Sequence, residues 1–287
     1  MHWTPRREKY RALLAGDRCV HPASVYDAMS ARMAESLGFE MGMFSGSVGS
    51  LAVLGSPDIV LLTLTEFAAQ AYRINRASDL PLAVDADHGY GNALNVRRTV
   101  EELETAGVVA LSIEDTDLPK PYGSGKSRLI SLDEGMDKVR AALDARQDNS
   151  LVIAARTTVG VTPFEEVVER AKAYATTGVD ALFFAGMKTR EQLERISAVT
   201  DLPIGLGSTP PELSGDLDFL GRNNVKSALQ WHLPIHAAMK AAYDTLKALR
   251  EGTPPADIQN VAKGDLKDMM TRGADYKKWM KEFLAGG

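Results

Sequence analysis

Hydrophobic residues along this chain gather in short, near-continuous runs rather than in strict alternation with polar ones. Eight runs stand out: Val20 to Val25, Glu40 to Ser45, Pro81 to Val84, Val108 to Ile113, Leu151 to Ala154, Val179 to Phe184, Leu202 to Leu206 and Val225 to Leu229. A short run that is apolar at nearly every position belongs to a strand covered on both faces, as in a parallel sheet. Between the runs the spacing turns helical, over Asp27 to Leu37, Thr65 to Asn75, Asn92 to Ala106, Leu132 to Arg146, Pro163 to Thr177, Arg190 to Val199 and Leu233 to Arg250. Three helical stretches end on Gly38, Gly107 and Gly178, each directly before the next apolar run. That is the pattern of a helix closed by a left-handed glycine and followed by a buried strand. Strand and helix alternating eight times predict a (β/α)8 TIM-type barrel rather than an open doubly wound sheet. The seventh unit is weak, because Gly207-Ser-Thr-Pro-Pro211 leaves little room for a long helix.

No linker or low-complexity stretch divides the sequence, so residues 1–287 read as one barrel domain with 251–287 as a helical C-terminal extension. That extension carries Ile258, Val261, Leu266, Met269, Met270, Trp279, Phe283 and Leu284. This is more apolar surface than a tail exposes to water, and it is expected to pack on a neighbouring subunit.

Composition narrows the partners. The 287 residues are 45% hydrophobic and 25% charged, the balance of a soluble globular protein. Lys and Arg number 33 against 38 Asp and Glu, a formal charge of -5, which leaves no positive excess for nucleic acid or an anionic membrane. No apolar run approaches the roughly 20 residues of a membrane span. Arg6, Arg7, Glu8, Lys9 and Arg11 interrupt any secretory signal at the start. The lone Cys19 excludes an intramolecular disulfide and a cysteine-cluster zinc site, which fits a reducing cytoplasm.

In such a barrel the chemistry sits at the carboxyl ends of the strands. The second run ends in Ser45-Gly46-Ser47, the third in Asp85-Ala-Asp87-His88-Gly-Tyr-Gly91-Asn92, the fourth in Glu114-Asp115, the fifth in Arg156 and the eighth in Gln230-Trp231-His232. Asp85, Asp87 and Glu114 bring three like charges to one rim, which repel unless a cation or protons intervene. Hard oxygen donors without Cys or a His pair point to Mg2+ or Mn2+, with one carboxylate direct and two acting through water. The alternative is that they are strand-end and cap carboxylates satisfied by backbone N–H groups. Arg156 is suited to clamp a substrate carboxylate with its planar fork, or to form an ion pair with Glu114. Ser45, Gly46 and Ser47 let an anion approach closely, and His232 stands just before a helix start, where a polar side chain can face a bound anion. His88 is either a hydrogen-bonder behind the carboxylates or an exposed loop histidine. Asn92 caps the helix that begins there, and His236 is expected inside the helix layer.

Through Leu82-Ala-Val-Asp85-Ala-Asp-His-Gly-Tyr-Gly-Asn92, Ser112-Ile-Glu114-Asp115 and Ile153-Ala-Ala-Arg156-Thr157, the sequence resembles the isocitrate lyase and phosphoenolpyruvate mutase superfamily. The run Ala86 to Val96 is most similar to its oxaloacetate decarboxylase branch. The resemblance implies an α/β barrel with the eighth helix swapped between subunits, a homotetramer built as a dimer of dimers, and Mg2+ holding a small α-keto acid or its enolate. It makes Asp85 the direct metal ligand and Asp87 and Glu114 the water-mediated ones. It puts Ser47 and Arg156 on the substrate carboxylate, and His232 near the distal carboxylate. The lyase lid motif Lys-Lys-Cys-Gly-His is replaced here by Leu118-Pro-Lys-Pro-Tyr-Gly-Ser-Gly-Lys126, and the mutase Lys-Asn-Ser lid is absent, so isocitrate cleavage and phosphonate chemistry are disfavoured. The branch's tyrosine-containing loop after the seventh strand has no counterpart around Leu206 to Pro211, and Trp231 replaces a small residue. The reading is therefore Mg2+-dependent decarboxylation of oxaloacetate to pyruvate and carbon dioxide, with Arg156 and His232 as the catalytic pair. The alternatives are C–C cleavage or hydrolysis of a related acid such as 2-methylisocitrate, phosphonomutase-like chemistry, or a keto-acid-binding barrel without turnover.

Overall fold

A computed structural model describes residues 3–209 and 212–284. Eight parallel strands stand in the sheet in chain order: β1 (Ala23–Ser24), β2 (Gly42–Phe44), β3 (Leu82–Asp85), β4 (Ala110–Glu114), β5 (Val152–Thr158), β6 (Ala181–Ala185), β7 (Ile204–Leu206) and β8 (Val225–Ala228). The sheet closes on itself just ahead of β1, where Val20 bridges Ser227 in parallel and the Val20 N–H donates to the Lys226 carbonyl at 3.0 Å. Each apolar run of the sequence holds one strand, so the TIM-type barrel is the observed fold.

The helices are α1 (Thr4–Ala15), α2 (Ala28–Ser36), α3 (Gly46–Gly49), α4 (Leu64–Ala77), α5 (Ala93–Thr105), α6 (Leu132–Ala145), α7 (Phe164–Ala175), α8 (Arg190–Ser197), α9 (Leu217–Arg222), α10 (Leu233–Arg250), α11 (Gly264–Thr271) and α12 (Gly273–Phe283). Gly38, Gly107 and Gly178 all take positive φ, at 80°, 88° and 89°, as the helix-to-strand pattern requires. Asn92 caps α5 by accepting from the N–H groups of Leu94 and Asn95. The seventh unit has the short helix its sequence allows, the six residues of α9. Pro210 and Pro211 of the atypical loop lie outside the described residues.

Strand periodicity sets which residues reach the barrel interior. Ala83, Ala110, Val152, Ala154, Ala181 and Phe183 point inward and pack together, and α1 sends Tyr10 and Leu14 into the same core. Moving two residues at a time toward the carboxyl ends, the inward series continues as Asp85 on β3, Glu114 on β4 and Arg156 on β5. In the parallel register Asp85 lies beside Ser112 and Glu114 beside Arg156. The fold thus converts a strand-end position into a place at the barrel mouth.

The chain divides into two compact units, one ending at His232 and the other starting at Leu233. Among the described residues of the second, only Ile235 on α10 and Met270 on α11 are buried, while Met239, Tyr243 and Leu246 form an exposed apolar stripe along α10. His236, expected in the helix layer, is exposed in this unit. Ile235 is the buried residue of α10, so the helix offers the His236 ring no covered face. No helix among the described residues is long and apolar enough to cross a membrane.

Candidate active site

Arg156 organises the mouth of the barrel. Its Nη1 donates to Asp85 Oδ2, and its Nη2 stands 3.5 Å from Glu114 Oε2. The guanidinium therefore bridges two carboxylates from neighbouring strands, which is the ion pair with Glu114 that the sequence offered as one of its two readings. Thr116 Oγ1 donates to Glu114 Oε2 at 2.6 Å, and Ser112 Oγ reaches Asp85 Oδ1 at 3.4 Å. Burial disfavours the charged form of Arg156, but Asp85 and Glu114 more than offset it and hold the proton on.

Asp87 comes to the same place by an unusual backbone. It takes a left-handed φ of 47°, its N–H donates to Asp85 Oδ1 at 3.2 Å, and its carbonyl accepts from the Glu114 N–H at 2.8 Å. The turn that results brings its carboxylate against Gly46. A Cβ at position 46 would lie 2.6 Å from Asp87 Oδ2, so only glycine admits this approach. Burial, then the charges of Asp85 and Glu114, push the Asp87 carboxyl well above the usual range, with Arg156 pulling the other way. Glu114 is raised by burial and by Asp85, against the lowering effect of Arg156.

A fourth carboxyl joins them that strand-end reasoning did not find. Asp58 lies on the exposed connection between β2 and α4, where partial burial and the charge of Asp85 raise it and Arg156 lowers it. A Pro-Asp turn reads as loop chemistry, and the one available signal was its place on the connection that also carries Ser45 to Ser47. Arg156 pairs with two of these carboxyl groups, Asp85 and Glu114, and its charge favours the ionised form of the other two. Such a set is short of positive charge, which a hard divalent cation could supply. Among the described residues no three His, Cys, Asp or Glu side chains converge tightly enough to ligate an ion alone. An ion held by such donors would take one or two carboxylates directly and complete its shell with water.

Beside the carboxylates runs a chain of hydroxyls and one imidazole. Ser24 Oγ lies 2.7 Å from His232 Nδ1, His232 Nε2 is 2.9 Å from Ser45 Oγ, and Ser45 Oγ is 2.8 Å from Ser47 Oγ. Ser24 and Ser45 are buried, and Ser47 and His232 are half-buried. All eight residues picked from the sequence, Ser45, Gly46, Ser47, Asp85, Asp87, Glu114, Arg156 and His232, are placed at this end of the barrel. Ser24 was not picked, since a two-residue strand gives little pattern and its partner lies about two hundred positions away.

His88 does not join the cluster. It is 4% exposed, which rules out an exposed loop position, and its Nδ1 has no hydrogen-bond partner. Burial and the nearby Lys138 push its pKa down to about 4, so the ring is neutral. Asp115, next to Glu114, accepts from Arg170 Nη1 at 3.0 Å and from the Tyr174 hydroxyl at 2.7 Å. Arg170 Nη2 also donates to the Ile130 carbonyl at 2.9 Å, while the Ile130 N–H donates to the Asp115 carbonyl at 2.8 Å. The loop from 118 to 126 therefore rises from a stem tied down at both ends.

An α/β barrel with acidic and basic side chains gathered at its carboxyl rim is the architecture of an enzyme acting on small charged molecules, and the family profile agrees. The phosphoenolpyruvate phosphomutase family matches residues 10–250, and the chain belongs to that family. It is 56% identical over 283 residues, 98% of each chain, to a protein of Bradyrhizobium sp. (strain ORS 278) named oxaloacetate decarboxylase. Its fold superposes on the crystal structure of phosphoenolpyruvate phosphomutase from Streptomyces platensis subsp. rosaceus with a TM-score of 0.85 at 26% identity, covering 97% of this chain and 99% of that one. Oxaloacetate acetylhydrolase in complex with the inhibitor 3,3-difluorooxalacetate superposes with a TM-score of 0.85 at 25% identity over 100% of both chains.

Proposed function

We propose that the protein is a Mg2+-dependent oxaloacetate decarboxylase that forms pyruvate and carbon dioxide. The observation that carries this reading is the carboxylate set of Asp85, Asp87 and Glu114 held around Arg156, with the Ser45–Ser47 and His232 chain beside it. The match to proteins named oxaloacetate decarboxylase over nearly the whole chain supports the choice of substrate.

In this reading Asp85 would hold the ion directly, and Asp87 and Glu114 would hold it through water. When bound, the ion would supply Lewis-acid stabilisation of the negative charge that develops on the keto oxygen. Arg156 and Ser47 fix the carboxylate next to the keto group, Ser45 and Gly46 shape the same wall, and His232 lies toward the distal carboxylate. Fixing the keto-acid end sets the C3–C4 bond perpendicular to the plane of the forming enolate. When that bond breaks, carbon dioxide leaves and the electron pair delocalises from C3 onto the keto oxygen. A proton must then reach C3. The 118–126 loop, on its clamped stem, closes over the site and keeps water out.

The exposed stripe of α10 and the apolar residues of α11 and α12 support a homotetramer in which these helices pack on neighbouring subunits. The net negative charge and single buried cysteine support a cytoplasmic enzyme without nucleic-acid or membrane partners. The test is proton NMR of the protein with Mg2+ and, in parallel, oxaloacetate, 2-methylisocitrate or phosphonopyruvate. Rapid pyruvate formation from oxaloacetate alone is expected. Turnover of either competitor with oxaloacetate at its background rate would overturn the assignment.

A further inference from the structure

We propose that Arg170 is a positioning residue that, through Asp115, clamps both limbs of the 118–126 loop and holds Glu114 in place at the rim. It rests on the decarboxylase reading for the reaction it serves and on the geometry for the clamp itself. Side chains alternate along the carboxyl end of β4 and the residues that follow. Thr116 Oγ1 meets Glu114 Oε2 on the mouth side, and Asp115 turns the other way, against α7. The Asp115 N–H donates to the Arg156 carbonyl at 3.1 Å, so the peptide that links Glu114 to Asp115 is also tied to β5. The outgoing limb of the loop then pairs with the returning one. The Asp117 N–H donates to the Arg128 carbonyl at 2.9 Å, the Ile130 N–H donates to the Asp115 carbonyl at 2.8 Å, and Thr116 bridges Leu129 in antiparallel. Arg128 Nε adds an ion pair with Asp117 Oδ2 at 2.5 Å.

Arg170 reaches both limbs from outside the loop. Glu166, Arg170 and Tyr174 follow at four-residue spacing on α7 and so share one face of the helix. Val167, Val168 and Ala171 are buried, which fixes that helix to the barrel. Arg170 Nη1 donates to Asp115 Oδ2 on the outgoing limb at 3.0 Å, and Nη2 donates to the Ile130 carbonyl on the returning limb at 2.9 Å. Glu166 Oε1 accepts from Nε and Nη2 at 3.0 and 2.7 Å and orients the fork. The Tyr174 hydroxyl adds its hydrogen bond to Asp115. Asp115, Arg170 and Tyr174 are at most 4% exposed, so water does not compete for these bonds. Beyond the clamp the loop holds on to itself. Lys120 Nζ donates to the Gly125 carbonyl at 3.3 Å, Ser124 Oγ donates to the Lys126 carbonyl at 2.8 Å, and Tyr122 at the tip is fully exposed. Placement of the tip over the site is therefore set at the stem, where a small change of angle is carried along the loop. A lysine at position 170 keeps the charge but lacks the planar frame that aims two donors at two limbs.

Trypsin reads the state of the stem directly. Lys126 ends the loop and Arg128 lies within the paired limbs, and a bond in a paired segment is cut only when that segment opens. Wild type is expected to be cut slowly after Lys126 and not after Arg128. Arg170→Lys is expected to be cut at least about tenfold faster, with cleavage after Arg128 appearing. Its kcat for oxaloacetate is expected to fall about tenfold or more while KM stays within about twofold, the split of a misplaced group rather than of lost binding. Amide hydrogen exchange of wild type tests the clamp without any variant, and so decides the matter even where Arg170→Lys does not fold. The N–H groups of Asp117 and Ile130 are expected to exchange at least about 100-fold more slowly than those of Tyr122 and Gly123. Cleavage of Arg170→Lys at the wild-type rate, faster cleavage with kcat unchanged, or stem amides that exchange as fast as the tip overturns the proposal. Wild type that leaves oxaloacetate at background overturns the decarboxylase reading, and cleavage and exchange then still decide the clamp.

Discussion

Arg156 carries two duties that a substitution separates. Its fork pairs with Asp85 and Glu114 in the structure, and in the proposed reaction the same planar group receives a substrate carboxylate. Arg156→Lys keeps the charge and loses the fork, so kcat/KM for oxaloacetate is expected to fall about 100-fold with the folded state retained. Initial rates together with thermal unfolding check this, and a wild-type rate would contradict it. At Gly46 the argument is steric. A methyl group there meets Asp87 at 2.6 Å and must displace the carboxylate. Gly46→Ala is expected to lower kcat/KM at least about tenfold, because small displacements of positioned groups are costly in rate. Unchanged kinetics with Mg2+ titrated over a wide range would show that the approach has no consequence. Most of these residues were legible beforehand, since one rule, polar groups at the carboxyl ends of apolar runs, picks out Asp85, Glu114, Arg156, Ser45 and His232. Asp58 and Ser24 escaped because their importance lies in what the closed barrel brings beside them.

At the scale of elements, α1 shows how a charged sequence hides a structural helix. Arg6, Arg7, Glu8, Lys9 and Arg11 read only as the exclusion of a secretory signal. In the fold Arg7 is 3% exposed and donates to the carbonyls of Glu104 and Val108 at 2.7 and 3.0 Å and to Asp148 Oδ2 at 2.7 Å. Tyr10 and Leu14 enter the barrel core beside it. Periodicity could not show this, because Arg7 is satisfied by partners about a hundred residues away. For Asp148, partial burial raises the carboxyl, but hydrogen bonds from Ser150, Arg7 and Thr4 outweigh it and hold the value well below the usual range. A carboxyl depressed in the folded state stabilises above its unfolded value near 4, and that contribution is lost as pH falls below it. Asp148→Asn is expected to cost about 2 kcal/mol at pH 7 and to flatten the acid side of the stability curve. Denaturant unfolding at several pH values checks both, and an unchanged acid slope would contradict the account. The strands and the helices between them were plain in the sequence, because burial on both faces and the helical spacing write themselves into hydrophobic pattern. The β2-to-α4 connection, with α3 and a π-helical turn over Ser50–Leu54, was not, since short polar turns carry no periodicity.

For the whole molecule, the second unit leaves Met239, Tyr243 and Leu246 on α10 and Met280, Phe283 and Leu284 near the end of α12 exposed in a single chain. The subunit packing proposed for these helices would cover those residues. Light scattering at micromolar concentration is expected to give about four times the 31.1 kDa chain mass, and a monomeric mass would contradict it. The central claim concerns what the carboxylate set does. Its most direct measurement is the rate of pyruvate formation from oxaloacetate with Mg2+, for wild type and Asp85→Ala, each beside EDTA and protein-free controls that give the metal-only background. The account predicts a wild-type rate far above that background, abolished by EDTA and by Asp85→Ala. An excess rate that survives either treatment, or no excess in wild type, would contradict it.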